Sequence, residues 1–262
     1  MFKDTICFDD VLLVPQVSTI ASRDEIDLGT SFADHKFRLP IVSSPMDTVT
    51  ESSMALSMFE AGGLGIVHRY NTLSEQCKII RDISEVLENT SSVNINNISA
   101  AIGTSSDFEQ RARGVYECGA RILCIDVAHG HHSLVEKAIK KLKDIFAESI
   151  TIIAGNVATS EGYVDLANWG ADAVRVGIGG GSICSTRIQT GHGVPTLQSV
   201  LDCRDSHDAA IIADGGIKSA GDIVKALAAG ADMVMLGSML AGTLETPGEV
   251  FQSKDNKQYK VY

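Results

Sequence analysis

From Leu39 onward the chain repeats one unit: a short apolar run, a polar or glycine-rich loop, then an amphipathic stretch. The apolar runs are Leu39–Ser43, Leu64–Val67, Ile98–Ile102, Ile122–Ile125, Thr151–Ala154, Ala173–Val176, Ala210–Ala213 and Met233–Leu236. Between and after them the spacing predicts helices near 51–61, 74–87, 107–118, 132–146, 160–169, 196–204 and 219–229. Gly62, Gly119, Gly170 and Gly230 mark helix ends, and the pairs Gly119-Ala120, Gly170-Ala171 and Gly230-Ala231 mark turns back into the sheet. Apolar strands alternating with helices mean a parallel sheet covered by helices. Eight such strands predict an α/β fold of the closed (β/α)8 type, a TIM barrel. The competing arrangement is an open doubly wound sheet. No GxGxxG follows an early strand, which argues against a dinucleotide-binding domain of that kind.

One such barrel uses the whole length, so a single domain is expected over 1–262, with an N-terminal arm at 1–38 and the barrel at 39–262. The arm holds Phe8-Asp9-Asp10-Val11-Leu12-Leu13-Val14-Pro15 and Ser22 to Leu28, short apolar pieces and turns. It is expected to pack on the bottom of the barrel, with a hairpin. Residues 88–97 are polar and read as a plain linker into the third strand. The net charge is −11 with no basic run, which argues against a nucleic-acid surface while leaving room for one basic phosphate pocket. No apolar run approaches a membrane span, and Met1-Phe2-Lys3-Asp4 does not open a signal peptide. The cysteines, Cys7, Cys77, Cys118, Cys124, Cys184 and Cys203, form no CxxC pair. Neither a zinc site nor a disulfide framework is expected, and a reducing cytoplasm is the default. Cys7, Cys118 and Cys124 lie in apolar settings and read as small core residues.

In a barrel the chemistry sits at the C-terminal ends of the strands. Those ends are Ser43-Ser44-Pro45-Met46-Asp47-Thr48, His68-Arg69-Tyr70, Asp126 to His132, Gly155-Asn156-Val157, Val176 to Arg187, Asp214-Gly215-Gly216-Ile217 and Gly237-Ser238-Met239. A Gly-Gly loop after strand seven and a Gly-Ser loop after strand eight, together with Ser182, point to a phosphate cradle. Cys184 sits in a loop of glycines beside Ser185, Thr186 and Arg187, where free N–H groups and a cation favour a thiolate nucleophile over an inert buried thiol. Asp214 reads as an acceptor for a ribose diol or as a salt-bridge partner or turn cap, and Asp126 has the same two readings. Asn156 reads as a helix cap or a ligand contact. His129, His131 and His132 make poor ligand geometry for a metal. His68 and His192 read as structural.

The motifs Ser44-Pro45-Met46-Asp47-Thr48-Val49-Thr50-Glu51, Ala154-Gly155-Asn156-Val157-Ala158-Thr159, Val176 to Arg187, Asp214-Gly215-Gly216-Ile217 and Met235-Leu236-Gly237-Ser238 resemble the IMP dehydrogenase / GMP reductase family. The likeness runs from Phe8 to Tyr262. It implies a barrel that binds a purine 5′-monophosphate (IMP, XMP or GMP) and exchanges hydride at purine C2 with NAD or NADP. By this resemblance Cys184 adds to C2 and Thr186 assists. Ser182, Gly215, Gly216, Gly237 and Ser238 would hold the phosphate side, Asp214 the ribose, and Ser44 and Met46 the base. Asp126, Asn156, Gly177 and Gly179 would face the nicotinamide or shape the loop. The backbone of Gly179, Gly181 and Cys184 resembles the family's site for a monovalent cation such as potassium, and a homotetramer is implied. Many dehydrogenases carry a regulatory domain pair after the second strand, where only residues 88–97 stand here. That absence suits a reductase, which takes GMP to IMP with NADPH; the wording of Pro45 to Glu51 and Gly62 to Arg69 resembles dehydrogenases and is given more weight. The family also continues past Tyr262 with a flap and a last helix. From their absence the chain is expected to bind nucleotide better than it turns over.

Overall fold

The computed structural model describes residues 4–89, 95–105, 107–253 and 255–262. Eight parallel strands close into a barrel: β1 Ile41–Ser43, β2 Leu64–Val67, β3 Ser99–Ile102, β4 Ile122–Asp126, β5 Thr151–Val157, β6 Ala173–Val176, β7 Ala210–Asp214 and β8 Met233–Leu236. Neighbours in sequence pair, and β8 closes on β1 with Val234 opposite Ile41 and Leu236 opposite Ser43. Seven main helices cover the outside: α1 Ser52–Ala61, α2 Leu73–Glu88, α3 Phe108–Glu117, α4 Ser133–Phe146, α5 Ser160–Trp169, α6 Thr196–Cys203 and α7 Ala220–Ala228. The expected α/β barrel is the one found. All four expected glycine stops have positive φ: Gly62 at 87°, Gly119 at 116°, Gly170 at 114° and Gly230 at 115°. A side chain there would strain the turn back into the sheet.

Strand residues alternate between two cores, as the two-residue period of a strand requires. Leu123, Ile125, Ile152, Val174 and Val176 face outward against Ile139, Leu142, Tyr163 and Val200 of the helices. Leu64, Cys124, Ile153, Ala173, Ile212 and Met233 fill the barrel interior. A hairpin of Thr30–Phe32 and His35–Phe37 closes the bottom, with Phe32 and Phe37 buried in that interior cluster. His35 pins the hairpin, its ring nitrogens lying 2.8 Å from Asn97 Oδ1 and 2.9 Å from Thr151 Oγ1. The hairpin packs where the arm was expected, whereas Phe8 lies beside Gly216 of the loop after β7, its carbonyl accepting from Lys225 Nζ, and Leu12 to Ile20 are exposed.

Other expectations need correction. Cys7 is exposed and Cys118 half-buried; only Cys124 of the three is a core thiol. Cys7 precedes a single 3-10 turn at Phe8–Asp10, and only Phe8 of that turn reaches the core. Within 88–97, Glu88 ends α2 and Ile95–Asn97 form a 3-10 turn, while 90–94 lie outside the described residues. So do Met1 to Lys3, on which the reading of the N-terminus rested. A short helix at Thr186–Thr190 and a two-stranded ribbon, Phe251–Gln252 with Gln258–Tyr259, were not anticipated. No helix among the described residues is long and apolar enough to cross a membrane.

Candidate active site

Continuing the strand period upward places the next interior layer. Two residues beyond Cys124, Ala173 and Ile212 come Asp126, Arg175 and Asp214. Arg175 is 5 % exposed and lies between the two carboxylates, Nη1 donating to Asp126 Oδ1 at 2.6 Å and Nη2 to Asp214 Oδ2 at 2.8 Å. Asn156 Nδ2 donates to the same Asp214 Oδ2 at 2.7 Å and to the Gly177 carbonyl at 2.8 Å. The helix-cap reading of Asn156 therefore falls, since Thr159 caps α5. The salt-bridge reading of both aspartates holds, and both also line open cavities.

Two cavities open above this layer. The larger of the two, about 390 Å³, is lined by Ser44, Met46, Ser182, Cys184, Thr186, Asp214, Gly215, Gly216, Gly237 and Ser238, with Gly181, Tyr70 and Tyr262. The adjoining one, about 230 Å³, is lined by Asp126, Asn156, Gly177 and Gly179, with Arg69 and Tyr70. Cys184, Thr186, Asp126 and Arg175 belong to both. A third cavity, about 470 Å³, lies behind the glycine loop between Cys7, Arg187 and Lys218 and does not include Cys184. Its size does not make it the reaction site, because the thiol opens into the other two.

Local sequence explains how the loops reach this place. Thr50 Oγ1 donates to the Ser44 carbonyl at 2.7 Å and lies 2.9 Å from Ser43 Oγ, curling the segment after β1 so that Ser44 and Met46 meet the cavity. Gly177 turns the chain out of β6 at φ 141°, and a Cβ there would fall 2.0 Å from the Asp214 carbonyl oxygen. Only glycine lets the β6 and β7 loops touch. Burial by itself would raise the Cys184 thiol. The Thr186 side chain, the backbone of Thr186 and Gly179 and the positive charge of Arg187 outweigh it, so the thiol is held below its usual range. Burial pushes the other core thiols up instead, Cys124 to about 11 and Cys203 to about 12.

Three of these histidines are tied into the fold. His131 pairs with Asp165 at 2.7 Å, His132 accepts from the Leu134 N–H at the start of α4, and His68 is buried against Glu51. His192 is exposed. No cluster of metal-binding side chains occurs among the described residues.

Four residues of the site escaped the sequence reading of roles: Arg69, Tyr70, Arg175 and Tyr262. Arg175 had a signal, being a charge inside the apolar strand Ala173-Val174-Arg175-Val176 in phase with two strand-end aspartates. Tyr262 had none. Its hydroxyl comes within 4.0 Å of Met46 Sδ after the chain has run out from β8 and back.

The fold and site define a (β/α)8 barrel with glycine-serine loops gathered over an acidified cysteine. The chain belongs to the IMP dehydrogenase / GMP reductase family, whose domain matches residues 5–262. It is 34 % identical to the inosine-5′-monophosphate dehydrogenase of Nitrosopumilus maritimus over all of its length and 80 % of that protein. It is also 34 % identical to that of Staphylococcus aureus strain Mu50, over 99 % of its length and 78 % of the relative. The first alignment spans 381 positions against 262 residues here, so about 119 positions of the relative face gaps.

Proposed function

We propose that this chain oxidises IMP to XMP with NAD, through a covalent intermediate on Cys184. The observation that carries the reading is the position of Cys184, a thiol held below its usual range at the junction of two cavities. Both relatives bear the dehydrogenase name, which sets IMP oxidation ahead of GMP reduction.

In this scheme the larger cavity takes the nucleotide. Ser182, Gly215, Gly216, Gly237 and Ser238 surround the phosphate, and the Tyr262 hydroxyl adds a donor at the same loop. Asp214 accepts from the ribose hydroxyls, while Ser44 and Met46 border the base. The Cys184 thiolate bonds to purine C2, and Thr186 beside it supports the charge on sulfur. C2 becomes tetrahedral and can give up its hydrogen with the bonding electron pair. NAD supplies the hydride acceptor. Water then displaces Cys184 from C2, giving XMP and the free thiol. Asp126 and Asn156, with the loop at Gly177 and Gly179, border the smaller cavity, and a carboxylate there suits a ribose diol or a carboxamide. The carbonyl oxygens of Gly179, Gly181 and Cys184 are hard donors that suit potassium. The Gly181 carbonyl accepts the Cys184 N–H at 3.2 Å and keeps a second lone pair. Occupation there would stiffen the turn that carries the nucleophile. Cys184 must stay a free thiol, which suits the cytoplasm. Leu12, Val14 and Val17 of the arm are 85 %, 76 % and 99 % exposed, an apolar strip that would be covered in a homotetramer. Sedimentation equilibrium giving a monomer would remove that last statement.

The phosphate cradle predicts that IMP binds at least about a hundredfold more tightly than inosine, as the loss of two charge-assisted hydrogen bonds implies. Calorimetry with both ligands checks it. Equal affinities would take the phosphate, and with it the nucleotide reading, out of this cavity.

A further inference from the structure

Resting on the nucleotide and dinucleotide reading above, we propose that Arg175 is a positioning residue that couples the two cavities. One guanidinium holds a carboxylate of each, so that each ligand binds more tightly when the other is present.

The geometry is continuous. Arg69 Nε lies 3.5 Å from Asp126 Oδ2, and Asp126 Oδ1 takes Arg175 Nη1 at 2.6 Å. Arg175 Nη2 reaches Asp214 Oδ2 at 2.8 Å, and that oxygen is shared with Asn156, which also holds the Gly177 carbonyl at the root of the Cys184 loop. Asp126, Asn156 and Asp214 would touch ligand; Arg175 borders both cavities and spans the two aspartates. Its side chain is only 6 % exposed, and its Nε finds no partner although buried. The fork therefore spends its contacts on the two aspartates. Space for it is made at Gly155, where a Cβ would stand 2.6 Å from Arg175 Cβ.

A guanidinium is planar and its donors are fixed relative to one another. Neither carboxylate can turn toward a ligand without turning the plane, and the plane carries the other carboxylate. The first ligand to hydrogen-bond one aspartate thus fixes the orientation of both. The second meets a site already set and loses less freedom on binding. By linkage the gain must be the same in either order of addition.

The test uses the full chain carrying Cys184→Ala, which keeps both cavities and cannot turn over. Kd for IMP and for NAD is measured by calorimetry, each with and without the other ligand. The parent is expected to show a reciprocal gain of about fivefold or more. Arg175→Lys keeps a positive charge but cannot fork to both aspartates, and the gain should fall to about one. Asp126→Asn weakens the hold of the guanidinium on the dinucleotide side, and the gain should likewise fall to about one. A general loosening of the fold would weaken both ligands and leave the ratio intact. The proposal is overturned if either Arg175→Lys or Asp126→Asn keeps the parent's coupling. A parent that binds both ligands without coupling sinks this proposal alone. A parent that binds neither sinks the nucleotide reading, and this proposal with it.

Discussion

Replacing Cys184 by alanine is expected to lower kcat by at least about four orders of magnitude, as loss of a covalent nucleophile does. IMP affinity should change only a few-fold. The phosphate, ribose and base contacts come from other loops, and the thiol contributes little to the ground state. Reactivity follows from the same electrostatics. The thiol pKa is lowered by Thr186, Gly179 and Arg187 against the effect of burial. Its thiolate therefore persists at pH values where an ordinary cysteine is protonated, and it is lost only as pH falls through the lowered value. Iodoacetamide should alkylate Cys184 with a pH midpoint below that of a free thiol, about 8.5. Cys203, fully buried and pushed up to about 12, should not compete, and IMP should protect Cys184. Mass mapping of the alkylated peptides reads all of this. Equal labelling of Cys184 and Cys203, with no effect of IMP, would remove the assignment.

Gly177→Ala is expected to be the most damaging single-methyl change in the site. The added carbon would stand 2.0 Å from the Asp214 carbonyl and 2.9 Å from Thr196 Oγ1, at a φ of 141° that side chains rarely adopt. The first neighbour is backbone, so the two loops must separate. We expect stability to fall by about 1–3 kcal/mol, the usual cost of overpacking. Separation by even an ångström moves Cys184 from the substrate, and kcat/KM should fall about a hundredfold or more. Denaturant unfolding and steady-state rates at a temperature where the variant remains folded distinguish the two effects. A variant that keeps both wild-type stability and rate would show that the β6 and β7 loops need not touch.

The barrel was readable because its signal is repeated. Each strand is mainly apolar, each helix is amphipathic, and a glycine at positive φ ends several of them. The nucleophile loop was readable because glycines, Ser182, Cys184 and Arg187 are consecutive. Arg175 was harder, because a charge in a four-residue run does not by itself show whether it faces the helices or the interior. Once Ala173 is known to face inward, Arg175 must do so too. Tyr262 depends on the return of a segment from Gly237 onward, a tertiary event with no periodic pattern. Cys7 was misread because apolar neighbours in a loop do not imply burial: Leu12, Leu13 and Val14 nearby are exposed as well.

The central claim is that purine C2 is joined to Cys184 when hydride leaves. Rapid acid quench of the protein with IMP and NAD, followed by intact and peptide mass spectrometry, tests it most directly. Within the first turnover the peptide holding Cys184 should gain the mass of IMP less a hydride and a proton, matched by the NADH formed. NADH formation with no adduct on Cys184, or with the adduct on another residue, would contradict the account.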